Sequence, residues 1–201
     1  NKGVLGADGA SEKALYVFVG RYEDNKGVAL FPALAEYACR SKSFIFSLVG
    51  MSANYDYVIR RITEQFPGCV PTLENEEQVK YGLLLRAAAD FAVVPSRMEA
   101  FGQVAVEAIA FGCLVVTSGV GGLKDAVLDY AAHPQAFSGF HFKLDPDSQV
   151  AQWNLVEVVG HVNILFKSWS EAERSQIADR LIMSTELRRW ATPAGPIMQY
   201  M

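Results

Sequence analysis

The chain has 201 residues, 51% of them hydrophobic and 20% charged, with a net charge of −4. That balance suits one large α/β domain or a domain with appendages, and it argues against a nucleic-acid surface, which needs clustered Lys and Arg. No apolar run approaches the ~18 residues of a membrane span, and no C-x-x-C or His/Cys cluster points to a metal.

Residues 1–14, NKGVLGADGASEKA, are polar and Gly-rich. They read as a linker that follows another domain, with no signal peptide. Leu15–Val19 (LYVFV) reads as the first strand, ending at Gly20. Gly27 to Ala38 reads as a helix, with Pro32 in its first turns where proline costs least. Phe44–Val49 is a second strand, and Tyr55 to Phe66 a helix closed by Pro67 and Gly68. Cys69–Leu73 reads as a short strand. Glu76 to Ala89 follows as a helix, with Val79, Leu83, Leu84, Ala87 and Ala88 expected to face inward. Asp90–Val94 and Cys113–Thr117 are β-branched runs that read as buried parallel strands. Gly102 to Phe111 between them is a helix. After Gly139–Phe142, Val150–Phe166 reads as a long helix. Ser170–Met183 is another, opened by a Ser170/Glu173 capping box. Strands alternating with helices of about a dozen residues predict a Rossmann-like α/β fold, with a parallel sheet, helices on both faces and extra C-terminal helices. Cys39, Cys69 and Cys113 sit in or beside apolar segments and read as buried thiols of a reducing compartment.

In such sheets ligands bind outside the carboxyl ends of the strands, so chemistry is expected in three loops. The first holds Gly20-Arg21 and Lys26-Gly27. Arg21 offers a planar fork for phosphate oxygens and Lys26 a movable point charge. Leaving one strand-to-helix loop, they can reach one anion. Taken alone they would read as solvated surface cations. The second is Pro95–Gly102 with the helix behind it, where Glu99 and Glu107 form a Glu-x7-Glu spacing. Glu107 lies roughly 7–8 Å further along the axis. Each carboxylate could accept a pair of sugar hydroxyls, and the helix N-terminus between them presents free N–H groups. An acid early in a helix can equally just complement the macrodipole. The third is Ser118–Asp125, where Gly121 and Gly122 permit close backbone approach to a ligand and open a helix.

In this order and spacing, these features resemble the C-terminal, nucleotide-sugar-binding domain of the glycogen/starch synthase family, retaining glycosyltransferases of the GT-B architecture. The matching stretches are GRYEDNKG (20–27), AADFAVVPSRMEAFG (88–102), VGGLKDAV (120–127) and GFHF (139–142), with Trp190 and Tyr200 similar to the family's closing stretch. The resemblance implies a donor domain at residues 15–183, between the 1–14 linker and a 184–201 tail that packs toward a missing N-terminal Rossmann domain. It implies an ADP-glucose or UDP-glucose donor, an α-glucan acceptor and no metal or other cofactor. Arg21 and Lys26 would hold the diphosphate and stabilise the leaving nucleotide. Glu99 would bind donor glucose hydroxyls. The amides of Phe101, Gly102 and Gln103 would grip the distal phosphate, and Glu107 the ribose. Gly20 and the Gly121-Gly122-Leu123 turn would complete the donor pocket.

Glu107 departs from many bacterial glycogen synthases and is usual in the wider retaining GT-B class, so the linkage and the nucleotide stay open, an α-1,3-glucan synthase included. The family's Lys-x-Gly-Gly loop does not occur in this sequence. His133, His141 and His161 match no family catalytic position and read as structural. Without an interdomain cleft to exclude water, the 201 residues are expected to bind nucleotide weakly and transfer no sugar alone. A cytoplasmic or plastid setting fits this reading. The rival classes are a non-catalytic nucleotide- or glucan-binding module, another GT-B enzyme such as a phosphorylase or epimerase, and a plain scaffold domain.

Overall fold

The computed structural model describes residues 13–186, Ser52 excepted. Most of the predicted linker, and Trp190 and Tyr200 of the tail, lie outside the described residues.

Among the described residues, six parallel strands form one sheet. They are β1 (Ala14–Arg21), β2 (Phe44–Met51), β3 (Thr72–Glu74), β4 (Phe91–Val94), β5 (Leu114–Thr117) and β6 (Gly139–His141), in the order β3-β2-β1-β4-β5-β6. The chain winds outward from β1 to β3, then returns to the other side of β1 and winds outward again to β6. The order reverses between β1 and β4, and a crevice opens at such a point above the carboxyl ends of the strands. The predicted α/β architecture is therefore observed.

Two 3₁₀ turns, Asp24–Lys26 and Val28–Leu30, precede α1 (Phe31–Ser41). The remaining helices are α2 (Asp56–Gln65), α3 (Asn75–Ala88), α4 (Gln103–Ala110), α5 (Gly122–Ala126), α6 (Ser148–Ser168) and α7 (Glu171–Glu186). Alternation along β1 and β2 sends Tyr16, Phe18 and Phe46 to one face. There Phe18 and Phe46 meet Phe31 of α1, at ring-centroid distances of 4.7 and 5.5 Å. Tyr16 stacks on Phe91 of β4 at 4.4 Å, and Phe91 in turn meets Phe166 of α6. Burying rings of this size is the largest single stabilising contribution of such a core. The opposite face carries α3 and α4, with α7 packed against α4. The Ser170/Glu173 capping box forms as predicted: each residue's side chain accepts the other's backbone N–H.

Four expectations need correction. The helix predicted from Gly27 starts only at Phe31, because Gly27 takes a left-handed φ of 73° that an α-helix cannot continue. The short strand lies at Thr72–Glu74 rather than Cys69–Leu73, since it is Leu48, Val49 and Gly50 of β2 that it pairs with. Helix α3 is rotated from its predicted facing. Val79, Leu83 and Leu84 are 81%, 62% and 65% exposed, and Ala87 and Ala88 are exposed too. Gly82 and Ala89 turn inward instead. Gly82 has no side chain and lets the helix approach β2 closely: a Cβ there would stand 3.3 Å from Val49. Finally, Cys39 and Cys69 are not thiols. They form a disulfide, because the last turn of α1 and the loop between α2 and β3 bring their Cα atoms to 5.9 Å. Cys113 takes no part in that disulfide and is buried, as expected. Among the described residues no helix is long and apolar enough to cross a membrane, and no acid, His and Cys cluster could hold a metal.

Candidate functional site

The loops after β1, β4 and β5 interlock at the carboxyl edge, beside the point where the strand order reverses. The first 3₁₀ turn carries Lys26 and ends at Gly27. A Cβ on Gly27 would lie 2.1 Å from the carbonyl oxygen of Pro95, so only glycine lets this turn rest on the β4–α4 loop. The two loops are then tied by backbone: the Arg97 N–H donates to the Asn25 carbonyl at 2.8 Å. The β5–α5 turn closes the other side. The Gly122 N–H donates to the Glu99 carbonyl at 2.9 Å, and Cβ atoms on Gly121 and Gly122 would strike the Glu99 and Ala100 carbonyls at 2.1 and 2.4 Å. Close backbone approach is therefore what the Gly-Gly pair provides, though its partner is the Glu99 loop.

At the centre of this assembly is an ion pair. Lys26 Nζ stands 2.8 Å from Glu99 Oε2, and both side chains are largely covered, at 22% and 14% exposure. Glu99 Oε1 also accepts the Gly102 N–H at 3.4 Å, and the Phe101 amide bonds the same carboxylate. Glu99 thus lies across the mouth of α4, at the positive end of that helix. Burial pushes its carboxyl up, but the Lys26 ammonium and the two amides outweigh this and hold it below its ordinary value of 4.5. A lowered folded pKa gives stability that is complete above the unfolded value and is lost as pH falls through the folded one. Thermal melts taken between about pH 3 and 6 should therefore show the native chain losing stability on acidification more steeply than Glu99→Gln. Parallel curves would mean the pair adds nothing to the fold.

The other predicted residues are placed as follows. Arg21, at the end of β1, is 61% exposed and pairs with Glu23 at 3.0 Å, so its guanidinium is not drawn into the Lys26–Glu99 pair. Gly20 lies one residue earlier, level with Gly50 of β2. Phe101 is 78% exposed beside the α4 mouth, and Gln103 is the first residue of α4, exposed to solvent. Glu107 is one turn further on, bonded to Arg86 of α3 at 3.2 Å. It borders a narrow, mainly apolar cleft between α3 and α4 that Val19, Val94 and Val104 also line, under the carboxyl ends of β1 and β4. Leu123 is fully buried, so any part it takes in binding falls to its backbone. Of the histidines, His141 has a structural role: its Nε2 is 3.1 Å from the Val127 carbonyl.

Arg97 also belongs to this cluster, with a place that the sequence motifs do not reveal. Its side chain lies between two loops and a helix start, with Nε 3.7 Å from Asp24 and Nη2 3.5 Å from Ser148. Asp24 also accepts the Tyr55 hydroxyl, whose pKa is raised by that bond first and by burial second. Arg97 sits inside the Pro-Ser-Arg-x-Glu motif, but its partners are 73 and 51 residues away in the chain, and no local spacing could have named them.

The sequence matches the family model described as "Glycosyl transferases group 1" over residues 7–159. A glycogen synthase from Acholeplasma laidlawii is 30% identical over 166 residues, which is 82% of this chain and 34% of that protein. The granule-bound starch synthase 1 of Arabidopsis thaliana is 28% identical over 143 residues, 67% of this chain and 22% of that one. Among solved structures, the catalytic domain of starch synthase IV from Arabidopsis thaliana, bound to ADP and acarbose, superposes with a TM-score of 0.70 at 22% identity. It covers 89% of this chain and 36% of that one. The C-terminal domain of a group 1 glycosyl transferase from Francisella tularensis has a TM-score of 0.60 at 16% identity, over 87% of this chain and 85% of its own. The chain spans about a third of the length of the glycogen synthases it matches. The resemblance first read from three loops at one sheet edge is thus carried by most of the sequence, and the chain belongs to the glycosyl transferases group 1 family.

Proposed function

We propose that this chain is the donor-binding domain of a retaining glycosyltransferase of the glycogen/starch synthase type, one that moves glucose from ADP-glucose or UDP-glucose to an α-glucan. The observation that carries this reading is the meeting of the Lys26 ammonium with the α4 mouth at Glu99. An ammonium and a row of helix amides aimed at one spot form a site for a phosphate group, and a carboxylate beside it suits sugar hydroxyls. The starch synthase neighbour solved with ADP and acarbose supports a nucleoside diphosphate as the anion.

In this reading the difficult part of the reaction is charge that builds on the diphosphate as the glycosidic bond breaks. Lys26, already at the α4 mouth, neutralises that charge without moving far, which is how preorganised donors lower a barrier, and Arg21 joins it once it turns from Glu23. They take the part that a divalent metal takes in other transferases. Glu99 orients the sugar through its hydroxyls and is not a nucleophile. Glu107 takes the ribose hydroxyls. The acceptor and the exclusion of water come from a second domain, so the 201 residues alone bind nucleotide and transfer no sugar.

Calorimetric titration of the chain with ADP, UDP and a maltooligosaccharide tests the proposal. Binding of either nucleotide, with no heat from the oligosaccharide, is the expected result. Oligosaccharide binding without nucleotide binding would instead make the chain a glucan-docking module.

A further inference from the structure

The groups proposed to hold the donor's phosphate are not idle in this structure. Lys26 Nζ and the Phe101 and Gly102 amides all contact one carboxylate, that of Glu99. That carboxylate is mostly covered and reaches Lys26 from 73 residues away in the chain. A phosphate arriving at the same donors must compete with it. We infer that Glu99 acts as an internal substitute for the phosphate, and that it makes the site prefer an intact nucleotide sugar over the bare nucleoside diphosphate. The inference rests on the donor-binding reading above and assigns Glu99 a specificity-determining role within it.

The physical argument is one of compensation. When a nucleoside diphosphate binds, its distal phosphate takes Lys26 and the α4 amides, and Glu99 is displaced. A displaced carboxylate beside a phosphate is a like-charge neighbour, and such juxtapositions are costly where water is scarce. A nucleotide sugar changes the outcome in two ways. Its distal phosphate is esterified to the sugar and carries one negative charge rather than two, and its sugar offers hydroxyl donors to the released carboxylate. Glu99 then exchanges an ammonium and two amides for hydroxyls and keeps hydrogen bonds throughout. The bare diphosphate, which is the product, brings no such donors. Product is therefore bound less well than donor, and it leaves as Glu99 returns to Lys26. Lys26 itself is never left without an anion, which limits the reorganisation needed in each cycle.

This role predicts an unusual sign. Removing a group that only bound substrate would weaken every ligand of the site. Removing the Glu99 charge should tighten binding of the bare product while weakening the grip on the sugar. The experiment is calorimetric titration of the chain with ADP, UDP and their glucose conjugates, for the native protein, Glu99→Gln and Glu99→Ala. Glu36→Gln, on α1 away from the site and paired with Arg40 at 2.8 Å, controls for the loss of one negative charge. We expect the accepted nucleoside diphosphate to bind about tenfold tighter to Glu99→Gln, with Glu99→Ala shifting in the same direction. The ratio of donor to product affinity should fall by at least that factor, and Glu36→Gln should behave as native. Product affinity that is unchanged or weaker in both Glu99 variants overturns the inference and leaves the donor-binding reading intact. If no protein in the set binds any nucleotide, the donor-binding reading itself is wrong.

Discussion

On the proposed donor-binding role, Lys26→Ala in an active enzyme carrying this domain should lower the rate of glucose transfer by about 100–1,000-fold, the usual cost of losing one preorganised donor to a developing negative charge. Lys26 is the better placed of the two candidate cations. It is presented by a 3₁₀ turn locked against the β4–α4 loop, and its ammonium is already at the α4 mouth. Truncating it also strands Glu99, whose largely covered carboxylate would lose its strongest partner and titrate higher. The damage should therefore appear in both the chemical step and donor binding. Arg21→Ala is expected in the same range, although its guanidinium must first leave Glu23 and solvent. A steady-state assay of the variants against the native enzyme decides the matter, and a loss of less than about threefold for Lys26→Ala would remove the diphosphate role from this residue.

Gly27→Ala should be more harmful to the fold than any surface substitution. Two costs add. The residue has φ near 73°, a left-handed conformation that costs an L side chain roughly 1–2 kcal/mol. The new Cβ would also fall 2.1 Å from the Pro95 carbonyl oxygen. Pro95 is backbone next to the buried end of β4, so neither loop can yield without breaking the Asn25 carbonyl's bond to Arg97. We expect a loss of more than about 4 kcal/mol, in the range reserved for a few named mechanisms such as forced strain at a special φ. Gly68 supplies the comparison. It has φ near 69° and nothing within 4 Å of a built Cβ, so Gly68→Ala should cost only roughly 1–2 kcal/mol. Denaturant melts of the two variants separate strain alone from strain plus collision. Equal losses would sink the claim that the turn is wedged against the β4–α4 loop.

Much of the framework was readable from residue patterns. Val93, Val94, Val115 and Val116 lie in short β-branched runs between Gly, Pro and Ser, and such runs have few ways to be other than buried parallel strands. Ser170 and Glu173 announced a helix start through local chemistry alone. The facing of α3 was not readable. Apolar residues surround that helix at 79, 83, 84, 85, 87, 88 and 89, so periodicity offered two faces. The deciding residue was Gly82, which contributes nothing to a hydrophobic pattern and everything to how closely the helix can approach Val49. The loops of the site were legible as a set, because each strand end in a parallel sheet meets the same edge. Their internal wiring was not. That Lys26 meets Glu99, or that Arg97 reaches Asp24, depends on the strand order reversing between β1 and β4, and no spacing along the chain encodes that.

The bond between Cys39 and Cys69 has a topological effect. It turns the stretch from the end of α1 through β2 and α2 into a covalent ring that includes β2, the strand next to one edge of the sheet. A protease that nicked the chain anywhere inside that ring would linearise it without shedding a fragment. The severed halves would stay joined on a gel until a thiol reagent was added.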